Sequence, residues 1–347
     1  MPAAVGKAIL LAGLLFAVAA AGTAHSQVSS GTEASADSPR TVKELTVAAK
    51  AGDAGAQFNL GIAYRDGIGI ARDMDQAYKW FRQAAEKDIA EAQYEVGQME
   101  EDGEGTEQNP SDAALWYERA AQRGHPPSMF ALGELYRTGQ GKLQDLAMAA
   151  EWYKQAASRR DIDGMVALGK LNQQGLIENA SAADAANWFG QAARLGSAEG
   201  RTLLAILLLG NEPSADFRHA PSRSMIDAID LLNAAVEQGY APAQYRLAMA
   251  YLSGIGAPLD EPAALRLLFL AADQGQPEAL HRLGSFYLRG RTVPADPQRA
   301  FLYLDLAVHL GDLAATPERE EVARGLTAGQ VTQIKRRAQE WLQVRGL

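Results

Sequence analysis

The sequence contains no cysteine, and this absence excludes several kinds of chemistry at once. A chain of 347 residues without a thiol has no disulfide framework, no Cys-ligated zinc or iron–sulfur site, no cysteine nucleophile and no lipidated cysteine. Basic residues are in the minority, because 33 Lys and Arg stand against 42 Asp and Glu and give a formal net charge of −9. Nucleic-acid recognition requires a basic face, so this charge balance predicts that the chain does not bind nucleic acid.

Motifs for catalysis and for metal or cofactor binding are also missing. The five histidines have no partner at metal-ligand spacing, and there is no HExxH motif, Walker loop or G-x-S-x-G elbow. The Gly-x-Gly pairs lack the third glycine and the preceding strand of a dinucleotide-binding fingerprint. We therefore predict a non-enzymatic protein with no catalytic residue, no metal site and no cofactor.

Long hydrophobic runs are confined to the N-terminus. Residues 8–21 form an apolar run of 14 residues after Lys7, which is too short to span a bilayer, since a spanning helix needs roughly 20 residues. Ala24-His25-Ser26 fits the small-x-small rule for signal-peptide cleavage. We predict that residues 1–26 are a signal peptide cleaved near Ser26 and that the mature protein is periplasmic or secreted, without a membrane span. The alternative is that this segment is retained as an N-terminal anchor. Residues 27–41 are rich in Ser, Ala and Gly and are predicted to be a disordered linker.

The main signal is an internal repeat with a step of 36 residues. The repeated glycines are Gly61, Gly97, Gly133 and Gly169. The repeated tryptophans are Trp80, Trp116, Trp152 and Trp188, and each precedes an alanine pair by four residues. Several independent positions therefore keep the same step over consecutive units.

Spacing inside each unit is helical. Ala56, Leu60 and Tyr64 recur every four residues, and the apolar positions of residues 77–85 follow the 0, 3, 4, 7, 8 pattern of one helix face. Each unit is thus predicted to be two antiparallel helices separated by a Gly-x-Gly turn. One helix pair cannot bury both faces alone, so successive pairs must stack. The predicted fold is all-α, a right-handed superhelical solenoid.

This pattern resembles the Sel-one-like repeat (SLR) family, which is related to the tetratricopeptide repeat. In the first unit the resemblance is carried by Ala56, Gln57, Phe58, Asn59, Leu60, Gly61, Tyr64, Gly67, Gly69, Asp73, Ala77, Trp80, Phe81, Ala84 and Ala85. It covers residues 42–312 as about seven units, with a half-unit at residues 42–52 and an atypical fifth unit that carries an insertion at residues 210–223. Residues 313–347 are predicted to cap the array. Their main helix is expected to begin after Thr327, with Gln330 as its capping-box partner.

The resemblance to tetratricopeptide arrays implies which positions point into a concave groove and bind another protein. They are Phe58, Ile62, Arg65, Tyr94, Gln98, Glu101, Phe130, Glu134, Arg137, Tyr245, Met249 and His281. For the four aromatic residues, ordinary packing between helices is an equal alternative. We expect the tryptophans to lie in the core, and we expect the acidic stretches at residues 100–102 and 318–321 to be exposed, solubilising charge.

Three functions of different classes remain open at this point. The first is an exported adaptor, and the resemblance to secreted SLR proteins implies roles in envelope assembly, exopolysaccharide export or sensor-kinase regulation. The second is a β-lactamase-like or other envelope hydrolase, as described for cysteine-rich SLR proteins. The absence of cysteine weakens that analogy. The third is a solenoid that binds glycans or peptidoglycan.

Overall fold

The computed structural model describes residues 41–210, 222–290 and 292–347. Every regular element in these ranges is helical. The predicted signal peptide, the linker up to residue 40 and residues 211–221 of the predicted insertion lie outside the described residues.

Seventeen α-helices and one 3-10 helix follow one another along the described chain. They are α1 (Val42–Lys50), α2 (Ala54–Asp66), α3 (Met74–Ala85), α4 (Ala90–Asp102), α5 (Pro110–Gln122), α6 (Pro126–Thr138), α7 (Leu146–Ser158), α8 (Ile162–Gln173), α9 (Ala182–Arg194), α10 (Ala198–Gly210), α11 (Arg223–Val236), α12 (Ala241–Ser253), α13 (Glu261–Asp273), α14 (Pro277–Arg289), α15 (Pro297–His309), the 3-10 helix Leu313–Ala315, α16 (Thr316–Arg324) and α17 (Ala328–Arg345). The even-numbered helices from α2 to α14 are the first helices of seven pairs, and the odd-numbered helices from α3 to α15 are the second helices.

Local sequence explains where these helices begin and end. The second helices begin after a capping side chain, as at Asp73, whose carboxylate accepts a 3.0 Å hydrogen bond from the Gln76 amide. Several first helices end at a glycine in the left-handed region, as at Gly67 with φ of 72°. The predicted Gly-x-Gly turns are confirmed, since Gly69 also has positive φ. The chain therefore reverses direction at the same point of these units.

Consecutive helices pack against each other along the whole array. Each first helix packs against its own second helix, and each second helix packs against the first helix of the next pair. First helices also approach one another directly, α6 to α8 and α10 to α12. The result is the predicted helical solenoid, and the direct contacts between first helices indicate that these helices line its concave side.

The repeated glycines are required by the close approach of the two helices in a pair. A Cβ atom on Gly97 would lie 2.5 Å from the Tyr117 ring, and a Cβ atom on Gly133 would overlap the Tyr153 ring in the same way. The ring that fills this space is therefore the residue after each tryptophan. The tryptophans themselves are half-buried between neighbouring pairs, so the prediction that they lie in the core is only partly correct.

The C-terminal segment closes the array with two helices. The predicted capping box is confirmed, because Thr327 and Gln330 exchange side-chain and backbone hydrogen bonds at the start of α17. Both α16 and α17 pack against α15, and Ile334 and Ala338 are buried there. Helix α16 was not predicted from the sequence. Within the described residues, none of the helices combines the length and apolar character that crossing a bilayer demands.

Candidate binding surface

The predicted contact residues lie on the first helices, and none of them is fully buried. They are Phe58, Ile62 and Arg65 on α2, Tyr94, Gln98 and Glu101 on α4, Phe130, Glu134 and Arg137 on α6, Tyr245 and Met249 on α12, and His281 on α14. The structure thus brings the members on α2, α4 and α6 onto one continuous face. Whether this face binds a partner stays a prediction.

Three aromatic residues of this face pack on rings from their own second helices. The ring centroids are 5.6 Å apart for Phe58 and Phe81, 5.8 Å for Tyr94 and Tyr117, and 5.7 Å for Phe130 and Tyr153. Each groove residue remains half-exposed, whereas its partner is buried. The packing alternative is therefore correct for these residues, but it leaves part of each ring open to a ligand.

Two carboxylates of the groove are held by buried tyrosines. The hydroxyl of Tyr117 donates a 2.7 Å hydrogen bond to Glu101, and burial raises the pKa of Glu101. The hydroxyl of Tyr153 donates to Glu134, which also forms a 2.6 Å ion pair with Arg137. Burial opposes ionisation of Glu134, but the hydrogen bonds from Arg137 and Tyr153 outweigh it and lower the pKa.

Ion pairs connect consecutive first helices along the groove. Arg65 on α2 lies 2.8 Å from Asp66 and 2.7 Å from Glu95 on α4. Lys170 on α8 lies 2.6 Å from Glu199 on α10. These cations already have carboxylate partners, so they order the groove as well as offering charge to a ligand.

The part of the groove around Tyr94 is acidic. Burial raises the pKa of Tyr94 to about 12, and the negative charges of Glu95, Asp161, Glu101 and Asp163 act in the same direction. These carboxylates come from α4, from α8 and from the residue that precedes α8. A ligand that carries positive charge is therefore favoured at this position.

A depression of about 410 Å³ lies between α6, α8 and α10. Its lining residues are Phe130, Glu134, Arg137, Asp163, Val166, Ala167, Lys170, Leu171, Gln174 and Glu199. Sequence reasoning identified only the three members on α6. Val166 and Lys170 on α8 were not predicted, although they lie at the same repeat positions, three residues before and one residue after Gly169.

His281 lies at the far end of the array and has a structural partner. Its Nδ1 is 2.9 Å from Asp312, and its Nε2 faces Glu318 at 3.9 Å. Glu318 also binds Ser285 and Arg289, so the prediction that residue 318 is simply exposed is wrong. This cluster connects α14 to the capping segment. No set of residues suited to holding a metal ion occurs in the part of the chain that the structure describes.

Glu100 corrects a second prediction. It was expected to be exposed, yet its side chain lies against α3 and α5. Only 6% of its surface is exposed. Its Oε1 accepts hydrogen bonds from the Tyr78 hydroxyl at 2.8 Å and from the Trp116 indole at 3.3 Å. Burial raises the pKa of Glu100.

Comparison with known proteins identifies the repeat. A protein-family model described as Sel1 repeat matches residues 54–89, 90–125, 126–161, 162–197, 241–276 and 277–312. These segments cover more than half of the chain. The chain belongs to the Sel1 repeat family. The predicted resemblance is therefore confirmed, with six units matched and the fifth, atypical unit left unmatched between residues 197 and 241.

Solved Sel1 repeat structures resemble this chain. A Sel1 repeat protein from Oxalobacter formigenes is 28% identical, with a TM-score of 0.61 and coverage of 81% of this chain and 79% of that one. A protective antigen present in uropathogenic Escherichia coli strains, which displays an SLR fold, is 26% identical, with a TM-score of 0.49 and coverage of 87% and 71%. No curated protein matches the sequence.

Proposed function

We propose that this Sel1 repeat protein is a non-enzymatic scaffold that binds a partner protein in the concave groove formed by α4, α6, α8 and α10. The observation that carries the proposal is the open depression between α6, α8 and α10, in which a half-exposed aromatic ring, Phe130, lies among ordered charges. Solenoids of this type use such extended concave surfaces for binding. Aromatic and arginine side chains dominate the energy of protein interfaces, and both are present here.

The groove favours a partner segment with basic residues. The carboxylates around Tyr94 have the same sign. Glu95 among them is paired with Arg65, whereas Glu101 accepts a hydrogen bond from the neutral Tyr117 hydroxyl. A basic segment would therefore gain attraction at Glu101 without displacing that ion pair. The tyrosine–carboxylate hydrogen bonds already hold the Glu101 and Glu134 side chains in place, so binding costs less side-chain conformational entropy.

The hydrolase alternative gains no support from the histidine geometry. Nδ1 of His125 is 2.8 Å from the Ser128 hydroxyl, but Ser128 is completely buried and offers no attack position. His281 on α14 pairs with Asp312. The neighbouring Ser285 hydroxyl donates to the carboxylate of Glu318 and not to the imidazole of His281. A nucleophile needs hydrogen-bond contact with its base and access to the substrate, and neither arrangement provides both.

We also propose that the protein acts outside the cytoplasm, after signal-peptide cleavage near Ser26. The support is the N-terminal sequence alone, with its apolar run of 14 residues and its small-x-small site. The scaffold would then act in envelope assembly, in exopolysaccharide export or in the regulation of a sensor kinase. Fractionation and N-terminal sequencing of the full-length product should give a periplasmic or secreted chain that begins at Gln27. A membrane-bound chain that begins at Met1 would contradict export as a soluble protein.

A pull-down from envelope extracts tests the scaffold proposal. The mature chain should retain a stoichiometric protein partner, and this partner should be lost with Glu101→Lys, which reverses a charge in the acidic part of the groove and breaks only a hydrogen bond within its own helix pair. Glu151→Lys on the exposed side of α7 is the matched control. Equal retention by both variants would exclude the groove as the binding site.

A further inference from the structure

A second depression is lined mainly by second helices, whereas the groove depression is lined by first helices. It has a volume of about 520 Å³ and lies between α3, α5 and the loop that joins α4 to α5. Its lining includes Tyr78, Arg82, Glu100, Asp112, Trp116 and Arg119. We refer to it as the Glu100 depression. It shares no residue with the groove depression between α6, α8 and α10.

The Glu100 depression is where the repeat departs from its own pattern. The residues 36 positions before and after Glu100 are Tyr64 and Tyr136, and the residue 36 positions after Tyr78 is Ala114. In the next unit, the first helix carries the aromatic residue, Tyr136, and the second helix of the preceding pair carries Ala114. At the Glu100 depression the first helix carries the carboxylate of Glu100, and the second helix of the preceding pair carries the aromatic residue, Tyr78. Packing alone does not require this exchange, because a tyrosine and an alanine serve these two positions in the next unit.

The exchanged carboxylate has an unused hydrogen-bond acceptor. Both donors, Tyr78 and Trp116, bind Oε1 of Glu100. Oε2 is buried, and no hydrogen-bond partner for it exists among the described residues. An unsatisfied buried acceptor is unfavourable, and rotation about the terminal side-chain bond is soft enough to present this oxygen to a donor in the depression.

The rest of the lining offers donors and acceptors without a dominant charge. Arg82 and Arg119 supply guanidinium groups, while Glu107 and Asp112 supply carboxylates. The Arg119 guanidinium lies 4.5 Å from the centre of the Trp116 ring, which holds it at the edge of the depression. A small ion of either sign would meet like charges here. A neutral ligand whose hydroxyl groups both donate and accept can pair with the guanidinium groups and with the carboxylates.

We propose that the Glu100 depression binds a neutral sugar unit of a glycan, with a sugar hydroxyl donating to Glu100 and others accepting from Arg82 and Arg119. The volume suits a ligand of one or two sugar rings, since small-molecule sites occupy roughly 300–1,000 Å³. The exposed side chain of Leu115 supplies apolar surface at the rim. This site shares no residue with the groove depression, so separate residues of the scaffold would bind the sugar and the partner protein.

Binding of neutral oligosaccharides to the mature chain tests the site. The probes are chito-, cello-, malto- and manno-trisaccharides, with a trimer of galacturonic acid as the acidic comparison, followed by saturation-transfer NMR and titration. At least one neutral trisaccharide should bind. Glu100→Gln, which keeps the shape of the side chain, should weaken binding at least tenfold, and Tyr78→Ala plus Glu100→Tyr, which restores the pattern of the next unit, should abolish it.

The matched control is Asn172→Tyr. Asn172 occupies the position equivalent to Glu100 two units further on, and the depression does not include it. This variant should bind the sugar within twofold of the unchanged chain. The proposal is overturned if none of the neutral trisaccharides binds, if only the acidic trimer binds, or if Glu100→Gln binds as well as Asn172→Tyr. Circular dichroism separates loss of binding from loss of fold, and the conservative Glu100→Gln variant decides the matter if the double variant does not fold.

Discussion

The hydroxyl of Tyr117 donates a 2.7 Å hydrogen bond to Oε2 of Glu101. Tyr117 is buried on α5, whereas Glu101 is half-buried on α4 at the concave face. The next unit repeats the relationship with Tyr153 and Glu134. Because a core residue holds each carboxylate, the groove surface is ordered before any partner arrives.

Removal of this hydroxyl should raise the pKa of the groove carboxylate. In Tyr117→Phe, Glu101 loses the hydrogen bond that favours its ionised form, while the burial that raises its pKa remains. The pKa of Glu101 should therefore rise further, and the free energy of unfolding at neutral pH should fall by about 0.5–1.5 kcal/mol. Carboxyl-carbon NMR and urea unfolding measure the two effects. An unchanged pKa would show that the hydrogen bond is not formed in solution.

Addition of a methyl group at a repeat glycine should destabilise the array. In Gly97→Ala the new Cβ would lie 2.5 Å from the Tyr117 ring, so the helices must move apart, at a cost of about 1–3 kcal/mol. Gly329→Ala on α17 is the control, because outside its own stretch of helix no atom of the described residues lies within 4 Å of its added Cβ. Urea unfolding should show a clear loss for the first variant and none for the second. Equal stability of both would mean that close helix approach does not depend on the glycine.

Stability should depend on pH through Glu100. Because burial raises its pKa above the ordinary value of 4.5, the folded chain binds this proton more tightly than the unfolded chain. Folding stability from this group is therefore fully present below pH 4.5 and is lost as the pH rises through the folded pKa. Glu100→Gln removes this dependence, so the stability difference between the two proteins should shift in favour of the variant as the pH rises above 4.5.

Denaturant titrations of both proteins across this pH range measure the effect. A constant stability difference would show that Glu100 titrates normally. Glu101→Gln serves as a comparison, because burial also raises the pKa of Glu101 and its carboxylate likewise accepts a hydrogen bond from a tyrosine, but it lies at the groove face.

The half-exposed aromatic rings should contribute most of the partner affinity. Phe130→Ala removes the ring that lines the groove depression and should weaken the partner identified by pull-down at least tenfold, which corresponds to about 1.4 kcal/mol. Phe269→Ala is the control, because Phe269 is a partly exposed ring on the second helix α13. Surface plasmon resonance compares the two variants. Equal affinities would place the contact elsewhere.

The fold could be predicted from the sequence because the residues that recur every 36 positions each meet one physical requirement of the helix pair. Gly61 must be small beneath the Phe81 ring, and Gly67 must adopt positive φ, so both leave a visible step in the chain. Glu100 could not be placed in this way. Burial of a carboxylate depends on the Tyr78 hydroxyl 22 residues earlier, and no repeat pattern records such a pair.

The groove could be predicted only in part. The positions on α2, α4 and α6 follow from the repeat, and the same rule would have identified Val166 and Lys170 on α8. The ion pairs of the groove could not be predicted from the repeat, because Arg65 with Glu95 and Lys170 with Glu199 each join two different units. Helix α16 lacks the repeat and has a single fully buried residue, Val322, so periodicity gave no signal for it.

Site-specific photo-crosslinking tests the central claim most directly. A photoreactive amino acid is placed at residue 137 in the groove or at residue 151 on the opposite helix of the same pair, in the full chain expressed in its own cells. The scaffold account predicts one partner protein crosslinked at residue 137 and not at residue 151. A partner crosslinked at residue 151 alone would contradict the claim that the concave side is the binding surface.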